Sequence, residues 1–105
     1  HKTGVEPQWI DHTVVGNVLQ TSSDAIYGAR HVALKAGVPI EVPALTVNRL
    51  CGSGIQAAVS GAQMIQLDEA DIVLTGGIES MSQAPHVIRG LRSGLRLNQG
   101  KLEDY

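Results

Sequence analysis

The apolar positions of this chain change period several times along its length. Ile10, Val14, Val15, Val18 and Leu19 form a β-branched cluster around Gly16-Asn17, which predicts a strand over about 12–18. Ile26, Ala29, Ala33 and Ala36 then recur at helical spacing, with Val32 beside the stripe. A helix over 25–36 is expected, entered from the N-cap candidates Thr21-Ser22-Ser23-Asp24 and closed by Gly37, with Pro39 blocking continuation. Pro43 to Asn48 reads as a second strand. From Cys51, the positions Ile55, Ala58, Val59, Ala62 and Ile65 or Gln66 fall on one helical face. Gly61 inside that helix costs about 1 kcal/mol against alanine, so a closely packed neighbour is expected there. Asp71 to Thr75 reads as a third strand ending in Gly76-Gly77, and polar residues 1–8 read as a loop or frayed helix end.

Strand, helix, strand, helix, strand is a βαβαβ order. Helices of this length between strands imply parallel pairing with right-handed crossovers. The continuous run Ile72-Val73-Leu74 suits a strand covered on both faces. After Gly77 the pattern breaks. Residues 78–105 carry Pro85, Gly90, Gly94 and Gly100 among Arg89, Arg92 and Arg96, which predicts irregular chain with short helical turns.

Composition narrows the function classes. A 43% hydrophobic and 17% charged chain of 105 residues is that of one globular domain at most. Phe is absent, so packing rests on Val, Ile, Leu and Ala. The net charge of −2 gives no field that attracts nucleic acid or an anionic membrane, and no apolar run approaches the ~18 residues of a membrane span. The four histidines, His1, His12, His31 and His86, show no metal-ligand spacing. A single cysteine excludes an internal disulfide and suits a reducing compartment. A cytoplasmic location is expected, with mitochondrial or peroxisomal placement left open. The start at His1 and the charged run Lys101–Tyr105 at the other end read as cuts inside a longer protein.

That cysteine, Cys51, stands where the second strand gives way to the second helix. Backbone N–H groups are unpaired at a helix start, and the dipole there favours negative charge, an environment that suits a nucleophilic thiol. Gly52 and Gly54 keep side chains away from whatever approaches it. A lone cysteine is more often a buried packing residue. Its context decides for the nucleophile.

Val47-Asn48-Arg49-Leu50-Cys51-Gly52-Ser53-Gly54 resembles the nucleophile motif of thiolases. Three further segments match that family in the same order and spacing: Gly16–Gln20, Ala29–Gly37 and the glycine-rich Gly76-Gly77-Ile78-Glu79-Ser80-Met81-Ser82. The resemblance covers essentially the whole chain and implies a three-layer α/β/α fold. In that family each half carries a mixed five-stranded sheet in the order 3-2-4-5-1. This chain would supply strands 2, 3 and 4 of the N-terminal half. Residues 1–77 would be a partial α/β domain, and residues 78–105 the start of the loop domain.

The same resemblance implies the chemistry. Cys51 would attack the keto carbon of a 3-ketoacyl-CoA and carry the acyl group until CoA takes it, or run the reverse Claisen condensation. Its backbone N–H would point into an oxyanion hole. Acyl-CoA and CoA would be substrates, with no further cofactor and no metal. A helix start contributes only about 0.3–1 kcal/mol, up to ~2, so an adjacent base is required. The family draws a histidine, a second cysteine and an asparagine from its C-terminal half, so the isolated chain is expected not to turn over. Glu79, Ser80 and Met81 would orient the active-site loop or line the pocket, with a loop-capping role for the first two and core filling for Met81 as the plainer readings. The edge strand implies a homodimer or tetramer with Thr46 and Asn48 at the interface, though Asn48 also reads as an N-cap. His31 is expected to face solvent, as are Arg89, Arg92 and Arg96 in preference to CoA phosphates. A ketoacyl synthase also places a cysteine at a helix start, but the Gly-Gly-x-Glu-Ser-Met-Ser segment argues against it. A non-catalytic thiolase-like protein that binds acyl-CoA or lipid is the remaining alternative.

Overall fold

The computed structural model describes residues 3–105. Its central strand is β1 (His12–Gly16), in which every residue from Thr13 to Gly16 is buried. β2 (Ala44–Val47) runs parallel along one edge, from Thr13 opposite Ala44 to Gly16 opposite Val47. β3 (Val73–Gly77) runs parallel along the other, from His12 opposite Val73 to Gly16 opposite Gly77. The resulting order β2-β1-β3 is the 3-2-4 segment that the resemblance implies.

Two helices complete the crossovers, α1 (Gly28–Lys35) and α2 (Ser53–Gln66). Thr46, level with Val15, bonds to α1. Thr75 and Val73, level with Val14 and His12, pack under α2. Successive strand residues point to opposite faces, so α1 and α2 cover opposite sides of the sheet in three layers. Ile10, Ala33 and Val38 form the buried cluster on the α1 side, with Val42 and Leu74 packed against it.

The first helix starts later than its apolar stripe suggests. Residues Ala25–Tyr27 form a 3-10 turn, and Ile26 is 64% exposed rather than in the core. None of the Thr21–Asp24 candidates caps it; the Ser22 hydroxyl bonds to Asp24 instead, and the Ala29 N–H is taken by Thr46 Oγ1 of the neighbouring strand at 3.2 Å. The other end follows expectation. Gly37 takes φ +85°, its N–H donates to Leu34 O, and the Val38 N–H donates to Ala33 O, a Schellman closure with Val38 against Ala33. Asp68, at φ +56°, closes α2 in the same way through Asp68 N–H to Ile65 O and Glu69 N–H to Met64 O.

The second helix lies on the sheet by a different face from the one its apolar residues mark. Ser53, Ala57 and Gly61 are buried, whereas Ile55, Val59 and Ile65 are exposed. The reason is separation. A Cβ on Gly61 would lie 2.8 Å from Thr75 Cγ2 and 3.1 Å from Val73 Cγ1, closer than a larger residue allows. The close neighbour expected at Gly61 is thus the β3 surface. The larger apolar side chains of α2 form an outer face with no partner among the described residues.

Residues 78–105 contain the expected short turns, at Met81–Gln83 and Leu91–Ser93. They also hold an antiparallel pairing that the sequence pattern did not predict, β4 (His86–Val87) with β5 (Glu103–Asp104). Tyr105 N–H donating to Pro85 O and the Arg89–Glu103 ion pair at 3.1 Å hold it.

At Gly16 a Cβ would stand 2.5 Å from the Ser53 carbonyl carbon and 2.6 Å from its oxygen, both backbone atoms. Gly16→Ala is therefore expected to destabilise the fold by about 3 kcal/mol or more. Gly61→Ala meets side-chain atoms of Thr75 and Val73 rather than backbone, and gains helix propensity of about 1 kcal/mol against the shift they must make, so it should cost less. Urea unfolding of the two variants tests this ranking, and equal midpoints would contradict the backbone-contact argument.

Candidate active site

The site forms at the C-terminal edge of the sheet, where all three strands end in loops. The Gly16–Ser53 contact sets the start of α2 directly over the end of β1. Gly77, beside it on β3, brings its face within 3.6 Å of the Gly54 Cα for a built Cβ. A side chain at Gly16 would push the helix start away from the strand ends, whereas a Cβ at Gly77 would make ordinary contact.

Between β2 and α2 the chain makes a tight turn. Helix α2 begins at Ser53, with Gly52 as its N-cap, so Cys51 sits just outside the helix rather than at its first position. Leu50 has φ +50°, a left-handed conformation that leucine takes only when its surroundings enforce it, at a cost of order 1–3 kcal/mol. Five hydrogen bonds enforce it. The Arg49 N–H donates to Ser53 Oγ at 2.8 Å, and that hydroxyl donates to Leu50 O at 2.6 Å. Gly52 N–H donates to Arg49 O, and Ser53 N–H to Leu50 O, each at 3.0 Å. The Leu50 N–H donates to Asn48 Oδ1 at 3.0 Å. Ser53 itself is 95% buried (5% exposed), so its two bonds are sheltered from water.

The turn presents Cys51 outward as an exposed, free thiol. Its backbone N–H meets no acceptor among the described residues. The thiol borders a cleft of about 570 Å³, lined on the opposite side by Val18, Leu19, Ile78 and Met81. A Cβ on Gly54 would meet nothing within 4 Å, so its missing side chain is open space in the cleft wall. Gly52 differs: a Cβ there would stand 3.3 Å from Arg49 O, so it serves the turn. The arrangement offers a nucleophile, an unengaged donor beside it and apolar walls. No histidine lines the cleft, and no three His, Cys, Asp or Glu side chains converge to hold a metal, among the described residues.

The residues expected from the glycine-rich segment separate. Met81 is 72% exposed and lines the cleft rather than filling core. Glu79 borders the cleft and accepts the Val18 N–H at 2.9 Å and the Leu19 N–H at 3.0 Å. Ser80 does not join them. Its carbonyl accepts the Thr21 hydroxyl at 2.8 Å, and the residue lines a smaller cavity of about 180 Å³ with Asn17, Asp24 and His31. Thr46 and Asn48 are engaged within the chain, Thr46 on α1 and Asn48 donating Nδ2 to Val18 O at 3.1 Å.

The strand expected over about 12–18 ends two residues early. β1 stops at Gly16, and Val18 and Leu19 become cleft wall. Asn17 also escaped notice: it is 4% exposed and donates to Ile78 O at 2.9 Å, tying the loops after β1 and β3. Its signal in the sequence is a polar residue beside Gly16 inside a β-branched run. In the smaller cavity the Asp24 carboxyl is held below its ordinary range, first by the Ser22 hydroxyl and then by His31 at 3.3 Å. That contact stabilises the fold above the ordinary carboxylate range and is lost as pH falls through the lowered value. His31 is half exposed and turned to this carboxylate.

The family model for the N-terminal domain of thiolases matches residues 1–105. The chain belongs to the thiolase family. It is 58% identical over 101 residues to human mitochondrial 3-ketoacyl-CoA thiolase, which covers 95% of this chain and 25% of that protein. It is 44% identical over 103 residues to an acetyl-CoA acetyltransferase of Pseudomonas aeruginosa, covering 98% of this chain and 26% of that protein. The crystal structure of the human mitochondrial enzyme in complex with CoA superposes with a TM-score of 0.92 at 58% identity, covering 95% of this chain and 26% of that one. This thiolase chain thus spans about a quarter of the length of the curated relatives it matches.

Within this thiolase segment Ser53 is the internal brace of the turn that carries Cys51. Ser53→Ala removes both of its bonds and orphans the Arg49 N–H, at an expected cost of about 1–3 kcal/mol. Amide hydrogen exchange should rise at Arg49 while the strands stay protected. Unchanged exchange at Arg49 would show that the hydroxyl does not hold the turn.

Proposed function

We propose that the protein containing this chain is an acyl-CoA acyltransferase of the thiolase type, with Cys51 as its nucleophile. The observation that carries the reading is the exposed Cys51 thiol, held on a left-handed turn at the mouth of an apolar cleft. The Cys51 sulfur would bond to the keto carbon of a 3-ketoacyl-CoA. The C2–C3 bond then breaks, its electron pair stays on C2, and C2 takes a proton, so that acetyl-CoA leaves. The acyl group remains on sulfur as a thioester, about as reactive as the CoA thioester it exchanges with. The thiol of free CoA attacks that carbonyl, gives up its proton and frees Cys51. The unengaged Cys51 N–H is suited to stabilise the oxyanion of these steps.

A free base to move the protons is missing from the described cleft lining, where the one carboxylate, Glu79, has both oxygens bonded to the Val18 and Leu19 N–H groups. It would come from outside this segment, and the 105-residue chain alone is inactive on this reading. No cofactor enters, because CoA is itself a substrate. The division at residue 77 between an α/β domain and the start of a loop domain belongs to the same reading. So does the cytoplasmic location, with a mitochondrial one, as in the names of the human and related thiolases, as the alternative. Support for a homodimer or tetramer comes from β2, whose outer edge has no strand partner among the described residues and whose Leu45 is 41% exposed. Thr46 and Asn48 would sit at that interface through their backbone, since their side chains are committed inward.

Intact mass of the complete protein after incubation with acetoacetyl-CoA and no free CoA should rise by about 42 Da, the acetyl group of a thioester. Peptide mapping should place it on Cys51, and Cys51→Ser should abolish turnover. A folded protein that takes no adduct would instead be a non-catalytic acyl-CoA binder. Sizing of the complete protein should give a dimer or larger, and a monomer at micromolar concentration defeats the interface.

A further inference from the structure

We infer that Glu79 is a positioning residue that sets the Cys51 turn through a relay of three loops; the inference rests on Cys51 being the nucleophile. Glu79 follows β3, yet it does not bond to its own loop. Its Oε2 accepts the Val18 N–H at 2.9 Å and its Oε1 the Leu19 N–H at 3.0 Å, in the loop after β1. Asn17 Nδ2 lies 3.5 Å from the same Oε1. One carboxylate thus grips two successive backbone donors, an arrangement that needs both oxygens as acceptors.

The relay continues from the other side of Val18. The Val18 carbonyl accepts Asn48 Nδ2 at 3.1 Å, and Asn48 Oδ1 accepts the Leu50 N–H at 3.0 Å. A flipped Asn48 amide would set oxygen against the Val18 carbonyl and NH₂ against the Leu50 N–H, so the two contacts fix its orientation together. Leu50 is the residue at φ +50° that turns the chain outward just before Cys51. Glu79 therefore holds Val18, Val18 orients Asn48, and Asn48 holds the strained residue on which the position of the thiol depends. The loops after β1, β2 and β3 are joined at one peptide group.

Glutamine at position 79 keeps the size of the side chain but replaces one acceptor with an NH₂ that faces an N–H. Aspartate keeps both acceptors but is one methylene short and can satisfy only one donor. The test is a cycle in the complete protein with Glu79→Gln, Asn48→Ala and the pair, and Glu79→Asp alongside. Three quantities are measured: the rate of Cys51 alkylation by iodoacetamide, the rate and apparent affinity of acylation by acetoacetyl-CoA, and the urea midpoint. Misplacement of a reacting group by a fraction of an ångström costs about tenfold or more in rate. Glu79→Gln and Asn48→Ala should each slow alkylation and acylation by about that factor, with acyl-CoA affinity held within about twofold. The double variant should be no slower than the worse single, because both changes act on the same turn. Glu79→Asp should fall between Gln and the parent. Multiplying losses in the double variant would overturn the relay, as would an unchanged alkylation rate in Glu79→Gln. If Glu79→Gln does not fold, Glu79→Asp decides: an alkylation rate below the parent's supports the relay and a parental rate refutes it. Should the protein take no acyl group while the alkylation cycle still shows coupling, the catalytic reading fails and the relay stands.

Discussion

The contact on which this segment is built is backbone against backbone. The start of α2 rests on the end of β1 with no side chain between them, because residue 16 is glycine. This lets Ser53 sink to 5% exposure while Cys51, two residues earlier, stays in the open. Gly61 farther along the helix continues the same close approach. From Ser53 to Gly61 the helix is seated through small residues. Its larger apolar residues are thereby left on the outer face. The price of that seating is an apolar surface that this chain does not cover.

The turn that carries the thiol is strained and over-determined. A leucine in the left-handed region would relax if its neighbours allowed it. Ser53 binds the turn from inside the helix, Asn48 from just after β2, and Glu79 from across the site by way of Val18. Most of these partners are backbone groups, so the geometry rests on hydrogen bonds of fixed direction rather than on packing. The cleft beside it is open and mostly apolar, and its one carboxylate among the described residues, Glu79, is already committed to the Val18 and Leu19 N–H groups. On the reading proposed above, this turn supplies the placed thiol and leaves the base to come from outside the segment.

Much of the architecture was legible in the chain. The three strands, both helices, the Schellman closure at Gly37 and the neighbour required by Gly61 all follow from period and turn chemistry. The sheet order came from the family resemblance rather than from the pattern. The misreadings share one cause, which is that the pattern reports apolar residues and not distance. Ile55, Val59 and Ile65 mark a helical face correctly, but the sheet takes the face of Ser53, Ala57 and Gly61 because only small residues fit. Ile26 fits the stripe of α1 yet lies before the point where Thr46 lets the helix begin. Val18 and Leu19 are as β-prone as the residues before them, but strand pairing ends at Gly16.

The sequence by itself determined the order of elements, the cysteine at a strand-to-helix junction and the family to which both belong. These depend on residue type and on spacing along the chain, which are local quantities. Only the tertiary structure decided which glycine serves contact, which serves the turn and which leaves open space, since Gly16, Gly52 and Gly54 are identical as letters. It alone separated Ser80 from Glu79 and Met81, which are neighbours in the chain but border different cavities. It alone joined Glu79 to Val18, a bond across 61 residues. Long-range hydrogen bonds leave no periodic trace, because their partners are brought together by strand register and helix seating rather than by anything nearby in sequence.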